Sequence, residues 1–125
     1  MADKPRILIV DDDPAVTELL ELKLDALFEV HVTNEPREAQ ALAIRLKPAA
    51  VVCDIDMPEM DGGEVCGRLR ADPLTQRIPV LYLTSMVSSA EVEALDGEVG
   101  GRPGVSKSAP VGEIARRIAE LIAAG

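Results

Sequence analysis

The sequence predicts an α/β domain built on a doubly wound parallel sheet. Short apolar runs alternate with amphipathic helical patterns five times along the 125 residues. The runs are rich in β-branched residues and end in polar or turn-forming residues, as buried parallel strands do. Parallel strands need crossover helices, so helices are expected on both faces of the sheet. Because neither a repeat nor a linker divides the chain, a single domain is expected over residues 1–125.

The predicted elements alternate strictly between strand and helix. Strands are predicted at residues 6–11, 29–33, 49–54, 79–84 and 105–107, and helices at 14–27, 34–46, 64–71, 89–96 and 110–122. Asp13 and Pro14 have the arrangement of an N-cap followed by a first-turn proline. Lys47–Pro48 ends the second helix, and the glycine-rich segment 97–104 predicts a loop.

Three helices show apolar positions that are expected to face the core. They are Val16, Leu19, Leu20, Leu24 and Leu27 in the first helix, Ala39, Ala41, Leu42 and Leu46 in the second, and Ile114, Ile118, Leu121 and Ile122 in the last. Such one-sided stripes indicate helices that lie on a sheet with their polar faces in water.

The composition excludes several classes of function. A formal net charge of −9 argues against a nucleic-acid surface, which needs clustered Lys and Arg. His31 is the only histidine, so a His-based triad and a His-rich metal site are excluded. Cys53 and Cys66 lie in core patterns and are expected to be reduced and structural. With neither a secretory signal nor a membrane-spanning stretch, the sequence predicts a cytoplasmic protein without membrane contact.

Carboxylates gather at the ends of two predicted strands. Asp11 and Asp12 follow the first strand, and Asp54 and Asp56 follow the third. Ligands of open α/β sheets bind just outside the carboxyl ends of the strands, so Asp11, Asp12 and Asp54 are expected to converge there. Carboxylates so crowded repel one another unless a cation separates them, and hard oxygen ligands suit Mg²⁺.

Two further polar residues end the fourth and fifth predicted strands. These are Thr84 and Lys107. Several carboxylates, a hydroxyl and an ammonium at one edge match phosphoryl transfer to a carboxylate, in which the cations and the hydroxyl hold the phosphoryl oxygens. Asp54 is the predicted nucleophile because it ends a middle strand beside the metal ligands.

Two segments resemble the receiver domains of bacterial response regulators, the CheY-like proteins. Residues 7–14 (ILIVDDDP) are similar to the family's first strand and acidic turn, and residues 54–62 (DIDMPEMDG) to its phosphoacceptor segment. Thr84 and Lys107 fall at the family's hydroxyl and lysine positions. The resemblance covers essentially the whole chain and implies five parallel strands in the order 2-1-3-4-5 with five helices.

The resemblance also implies a function. Asp54 would take a phosphoryl group from a sensor histidine kinase or a histidine phosphotransfer protein, and Thr84 and Lys107 would bind its oxygens. Mg²⁺ would be held by Asp11, Asp12, Asp54 and the backbone carbonyl of Asp56. The protein would catalyse only its own phosphorylation and dephosphorylation. It would signal to an unidentified output protein through its fourth helix, fifth strand and fifth helix. The Met1 start favours a stand-alone regulator.

The chain departs from the family pattern near Lys107. Ser108 stands where the family usually has proline after the lysine, and Gly104 stands where it usually has a switch aromatic. These departures leave open an interaction module that does not depend on phosphorylation. A second alternative is a phosphatase of the haloacid dehalogenase type, because Asp54-Ile55-Asp56 resembles the first motif of those enzymes. Those enzymes, however, place their metal-binding acids on a late strand, whereas this chain has its acidic pair after the first strand.

Overall fold

The structure is a computed structural model that describes residues 4–55, 57–58, 60–85, 98–99 and 102–124. The strands are β1 (Arg6–Val10), β2 (Glu29–Thr33), β3 (Ala50–Asp54), β4 (Val80–Thr84), β5 (Glu98–Val99) and β6 (Arg102–Ser106). The α-helices are α1 (Pro14–Leu24), α2 (Ala39–Leu46), α3 (Gly62–Ala71) and α4 (Val111–Ala124), and a 3₁₀ turn at Pro36–Glu38 precedes α2. The predicted helix at 89–96 lies outside the described residues.

The strands form one sheet in the order β2-β1-β3-β4-β6-β5. All neighbouring strands from β2 to β6 are parallel. This confirms the expected order 2-1-3-4-5, with β6 in the place of the predicted fifth strand. The register pairs Val10 with Cys53 and Asp54 with Leu83. The carboxyl ends of β1, β3 and β4 therefore lie side by side.

The prediction of a loop at residues 97–104 was wrong at the positions that the structure describes, where Glu98–Val99 and Arg102–Ser106 are strands. Glu98–Val99 pairs antiparallel with β6, with Val99 opposite Arg102. Gly104 lies within β6 opposite Tyr82, so pairing with β4 overrides the low strand propensity of glycine on which the expectation of a loop was based.

The core consists of two apolar clusters, one on each face of the sheet. Ile7 and Ile9 belong to the cluster beneath α1 and α4, whereas Leu8 and Val10 belong to the cluster beneath α2 and α3. Successive side chains of a strand point to opposite faces, so a strand buried on both faces must be apolar throughout. This confirms the doubly wound architecture. Met57 and Met60 are both buried in the α2–α3 cluster.

Two helices bury a face that differs in part from the predicted stripe. In α1 the buried residues are Thr17, Leu20 and Leu24, while Leu19 is 50% exposed and Leu27, beyond the helix, is 58% exposed. Positions 17, 20 and 24 share one face at 3.6 residues per turn, and Leu19 lies off it. In α2 Ala39 is buried as predicted, whereas the expected Ala41 is exposed and Ala43, which was not predicted, is buried. In α4 the expected face packs as predicted.

Both cysteines are free and buried. Among the helices that the structure describes, none has the length and apolar character needed to cross a membrane.

Candidate functional site

Asp11 enters the site directly from the end of β1. Its backbone N–H donates to the carbonyl of Thr33 (3.2 Å), and its Oδ1 accepts from the backbone N–H of Asp13 (3.0 Å). Asp11 is fully buried. Asp13 has a different role: its Oδ1 caps α1 by accepting a hydrogen bond from Ala15 N–H (3.0 Å). The predicted N-cap is confirmed, and the carboxylates of Asp11 and Asp12 remain for the site.

Asn34 braces the turn that carries these acids. Its Nδ2 donates to the backbone carbonyl of Asp11 (2.8 Å) and to Oγ1 of Thr17 (2.9 Å). One amide thus joins the end of β2 to the end of β1 and to α1. The sequence pattern predicts Asn34 only at the start of a helix, since nothing local indicates a partner 23 residues away.

Asp54 reaches the same place from the end of β3. It is 2% exposed. Carboxylate oxygens of Asp11, Asp12 and Asp54 all lie within 4.8 Å of one another. The predicted convergence of these three acids is what the structure shows. Asp56, whose backbone carbonyl was the fourth predicted metal ligand, lies outside the described residues.

Lys107 is the cation of this cluster. Its Nζ lies 2.8 Å from Oδ2 of Asp11 and 3.2 Å from Oδ2 of Asp54. Burial by itself would lower the pKa of Lys107, but the hydrogen bond and charge of Asp11 and the charge of Asp54 outweigh it and raise the pKa above its usual value. The lysine is therefore an ammonium at neutral pH. Its backbone N–H donates to the carbonyl of Thr84 (2.8 Å).

Thr84 ends β4 and is 2% exposed. In the pairing of β4 with β6, Thr84 lies opposite Ser106, which is the residue before Lys107. The structure thus places Thr84 at the strand end between Asp54 and Lys107, as expected.

The donor set fits a hard divalent cation. Three carboxylates face a single ammonium, so the described part of the cluster keeps an excess of negative charge. Oδ2 of Asp11 is buried, and the Lys107 ammonium that lies 2.8 Å from it is shared with Asp54. One ammonium shared by two buried carboxylates leaves part of their charge uncompensated, which is costly. Oxygen ligands and uncompensated charge are the conditions that Mg²⁺ satisfies. A cleft of about 160 Å³, lined in part by Asp12, Asn34 and Met57, opens beside the acids.

Cys53 is adjacent to Asp54 but does not compete with it. Burial, followed by the nearby Asp54 charge, strongly raises the pKa of the thiol. The neutral thiol donates to the backbone carbonyl of Asp54 (3.4 Å). Cys53 is therefore a packing residue at this edge, neither a nucleophile nor a metal ligand.

Gly62 sets the distance between α3 and the end of β3. Its N–H donates to the carbonyl of Ile55 (3.0 Å), and Oδ1 of Asp61 caps the helix through Glu64 N–H (2.8 Å). A Cβ on residue 62 would lie 2.8 Å from the backbone oxygen of Asp54 and 3.0 Å from Cα of Ile55. The Asp61–Gly62 pair thus controls the backbone that carries Asp54.

Substitution of Gly62 by alanine is expected to destabilise the protein by about 1–3 kcal/mol, because the backbone of Asp54 or α3 must move. The matched control is Gly67→Ala in the same helix, where a Cβ would meet nothing within 4 Å. That change should stabilise by roughly 0.5–1 kcal/mol through helix propensity. Urea unfolding of both variants measures the difference. Equal effects of the two substitutions would contradict the close approach at Gly62.

Residues 7–119 match the family model of the response regulator receiver domain. The chain belongs to this family and is a receiver domain of the two-component type, a class of phosphoacceptors. It is 45% identical over 83 residues to the DNA-binding dual master transcriptional regulator RpaA of a Synechocystis species, covering 66% of this chain and 34% of that protein. It is 38% identical over 119 residues to the response regulator MprA of Mycobacterium leprae, covering 94% and 50%.

The chain thus spans half or less of the length of these curated relatives. Solved structures match over nearly their full length. A response regulator from Chloroflexus aurantiacus superposes with a TM-score of 0.80 at 33% identity, covering 97% of this chain and 99% of that one. The receiver domain of the sensor histidine kinase PA1611 from Pseudomonas aeruginosa, solved with magnesium in its active-site cleft, gives 0.79 at 24% identity, covering 96% and 98%. At that identity the likeness shows the fold alone.

Proposed function

We propose that this receiver takes a phosphoryl group onto Asp54 in a reaction that requires Mg²⁺. The donor is a phosphohistidine of a sensor histidine kinase or of a histidine phosphotransfer protein. One observation carries the proposal: Nζ of Lys107 contacts both Asp11 and Asp54 where three carboxylates converge. This arrangement offers a buried nucleophile, a cation for phosphoryl oxygens and oxygen ligands for a metal.

Each residue has a separate task in the transfer. Asp11, Asp12, Asp54 and the backbone carbonyl of Asp56 would hold Mg²⁺, which when bound neutralises charge on the carboxylates and on the incoming phosphoryl group. An oxygen of Asp54 forms the new O–P bond as the N–P bond to the donor imidazole breaks, and the imidazole keeps that electron pair and takes a proton. The ammonium of Lys107 and the hydroxyl of Thr84 bind phosphoryl oxygens. Later hydrolysis returns the carboxylate and releases phosphate.

Output is proposed to involve the helix predicted at residues 89–96, strand β6 and the C-terminal helix α4. At this surface the phosphorylated form would change its affinity for an unidentified partner. In this region Gly104 stands at the family's aromatic position, and its backbone carbonyl accepts a hydrogen bond from Nη1 of Arg117 (3.0 Å). A connection between β6 and α4 is therefore present without an aromatic ring. The alternative of a phosphorylation-independent module predicts that Asp54 can be replaced without loss of signalling.

The phosphatase alternative has less support, because the acids that face Asp54 come from the end of β1 and the family match covers residues 7–119.

The test is incubation with acetyl phosphate, with and without Mg²⁺, followed by intact-mass measurement. The expected result is a gain of one phosphoryl group that depends on Mg²⁺. No gain from acetyl phosphate, phosphoramidate or a phosphorylated histidine phosphotransfer domain would refute the proposal. Repeated turnover of an aryl phosphate without lasting modification would favour the phosphatase.

A further inference from the structure

The turn after β6 is closed by two serines that flank Lys107. Oγ of Ser106 accepts a hydrogen bond from the backbone N–H of Ser108 (3.1 Å), and the two hydroxyl oxygens are 2.7 Å apart. The backbone carbonyl of Ser106 also accepts from Ala109 N–H (3.0 Å). Ser106 is 1% exposed, so its hydroxyl sits in a defined environment.

This turn determines where the Lys107 side chain starts. The backbone N–H of Lys107 is held by the carbonyl of Thr84 (2.8 Å) on one side. On the other side, the peptide that follows Lys107 is held by Oγ of Ser106. Both peptide groups of the lysine are thus anchored. A long, flexible side chain loses rotamer freedom when its ammonium is placed between two acids, and a fixed backbone lowers that cost.

Hydroxyl-to-backbone bonds two residues apart are common local turn motifs that need no link to function. Here the turn encloses the one lysine that contacts Asp11 and Asp54. Ser108 also stands where the family usually has proline, which has no backbone N–H. The serine does have a backbone N–H, and this group donates a hydrogen bond to the Ser106 hydroxyl.

We propose that Ser106, assisted by Ser108, is a positioning residue for Lys107 and aims its ammonium at the phosphoryl group on Asp54. This proposal rests on the proposed phosphoacceptor function. Ser106 is not among the residues proposed to hold Mg²⁺ or the phosphoryl group, and it would act only through the lysine. Its loss should therefore slow phosphoryl transfer while leaving the carboxylates that bind Mg²⁺ unaffected.

Three variants separate these effects. Ser106→Ala removes both hydroxyl contacts and is expected to slow phosphorylation by acetyl phosphate at saturating Mg²⁺ about tenfold, the scale of a misplaced catalytic group. Ser106→Thr keeps the hydroxyl at a strand position that tolerates β-branching and should restore the rate to within about threefold. Ser108→Ala keeps the N–H donor and should cost only about two- to threefold. The Kd for Mg²⁺, measured by calorimetry, should stay within about twofold throughout.

Several outcomes would overturn the proposal. These are a wild-type rate in a folded Ser106→Ala variant, failure of Ser106→Thr to rescue, and a loss of Mg²⁺ affinity parallel to the loss of rate. A second readout does not need phosphorylation: the ¹⁵N NMR signal of the Lys107 ammonium should move toward that of exposed lysines in Ser106→Ala. If wild-type protein accepts no phosphoryl group, the proposed function fails, and an unmoved lysine signal would separately refute the positioning role.

Discussion

Replacement of Asp54 by asparagine is expected to abolish the Mg²⁺-dependent gain of a phosphoryl group. The amide has nearly the shape of the carboxylate but no anionic oxygen to attack phosphorus. The residue is buried at the end of β3 with its Oδ2 3.2 Å from Lys107 Nζ, and the neighbouring acids Asp11 and Asp12 are proposed to serve the metal rather than to attack phosphorus. Intact mass after incubation with acetyl phosphate measures the effect. A drop of at least about 100-fold in the labelled fraction is expected, as for loss of a nucleophile.

The matched control is Asp13→Asn. Asp13 is exposed, lies two residues from Asp11, and uses its carboxylate to cap α1. Asparagine caps helices as well as aspartate does. This variant should take up the phosphoryl group like the wild type. Labelling of Asp54→Asn at the wild-type rate would show that the acceptor is elsewhere, and an equal loss in the control would show that the loss is not specific to Asp54. Unimpaired signalling by Asp54→Asn would favour the phosphorylation-independent alternative.

Replacement of Lys107 by methionine is expected to separate metal binding from phosphoryl transfer. The thioether fills similar space without charge, so phosphorylation at saturating Mg²⁺ should slow by about 100-fold. The Kd for Mg²⁺ should fall or stay unchanged, because the ammonium no longer competes for Asp11 and Asp54. Exposed Lys23 on α1 provides the control Lys23→Met, for which neither quantity should change. Weaker Mg²⁺ binding in Lys107→Met would contradict this division of roles.

The same variant should unfold more easily without Mg²⁺. Asp11 is fully buried, and loss of its cation leaves the charge uncompensated. We expect roughly 2–4 kcal/mol of destabilisation, less than for a fully buried pair because Lys107 is partly exposed. Folding raises the pKa of Lys107. The stabilisation that the charged Lys107 gives the folded state is therefore complete below the unfolded-state pKa of about 10.4, and it is lost only as the pH rises through the folded-state pKa. Urea unfolding should give the same difference at pH 7 and pH 9.

Much of the site could be predicted because its main residues stand at the ends of strands or directly after them. An apolar run of four or five residues predicts a buried strand, and the residue that follows it lies at the edge of the sheet. Asp11, Asp54 and Thr84 each follow or end such a run. Parallel strands in register then bring these positions together. Local pattern and topology are enough for this convergence, and the structure confirms it.

Other parts were decided only by how the backbones pack. Periodicity does not distinguish Leu19 from Thr17 as the buried residue of α1, because that depends on where β1 and β2 lie beneath the helix. The bond from Asn34 to Asp11 and the approach of Gly62 to the Asp54 backbone join residues far apart or in different elements.

The sequence by itself determined which chemical groups stand at the edge of the sheet, since strand length and strand ends are local properties of the chain. Tertiary structure alone decided what holds those groups at working distances, namely the Asn34 brace, the bare α-carbon of Gly62 and the two lysine contacts. The physical reason is that these interactions act over short distances: the energy of a hydrogen bond or a steric contact changes strongly within a few tenths of an ångström. Residue patterns specify faces and order, but not distances of that precision.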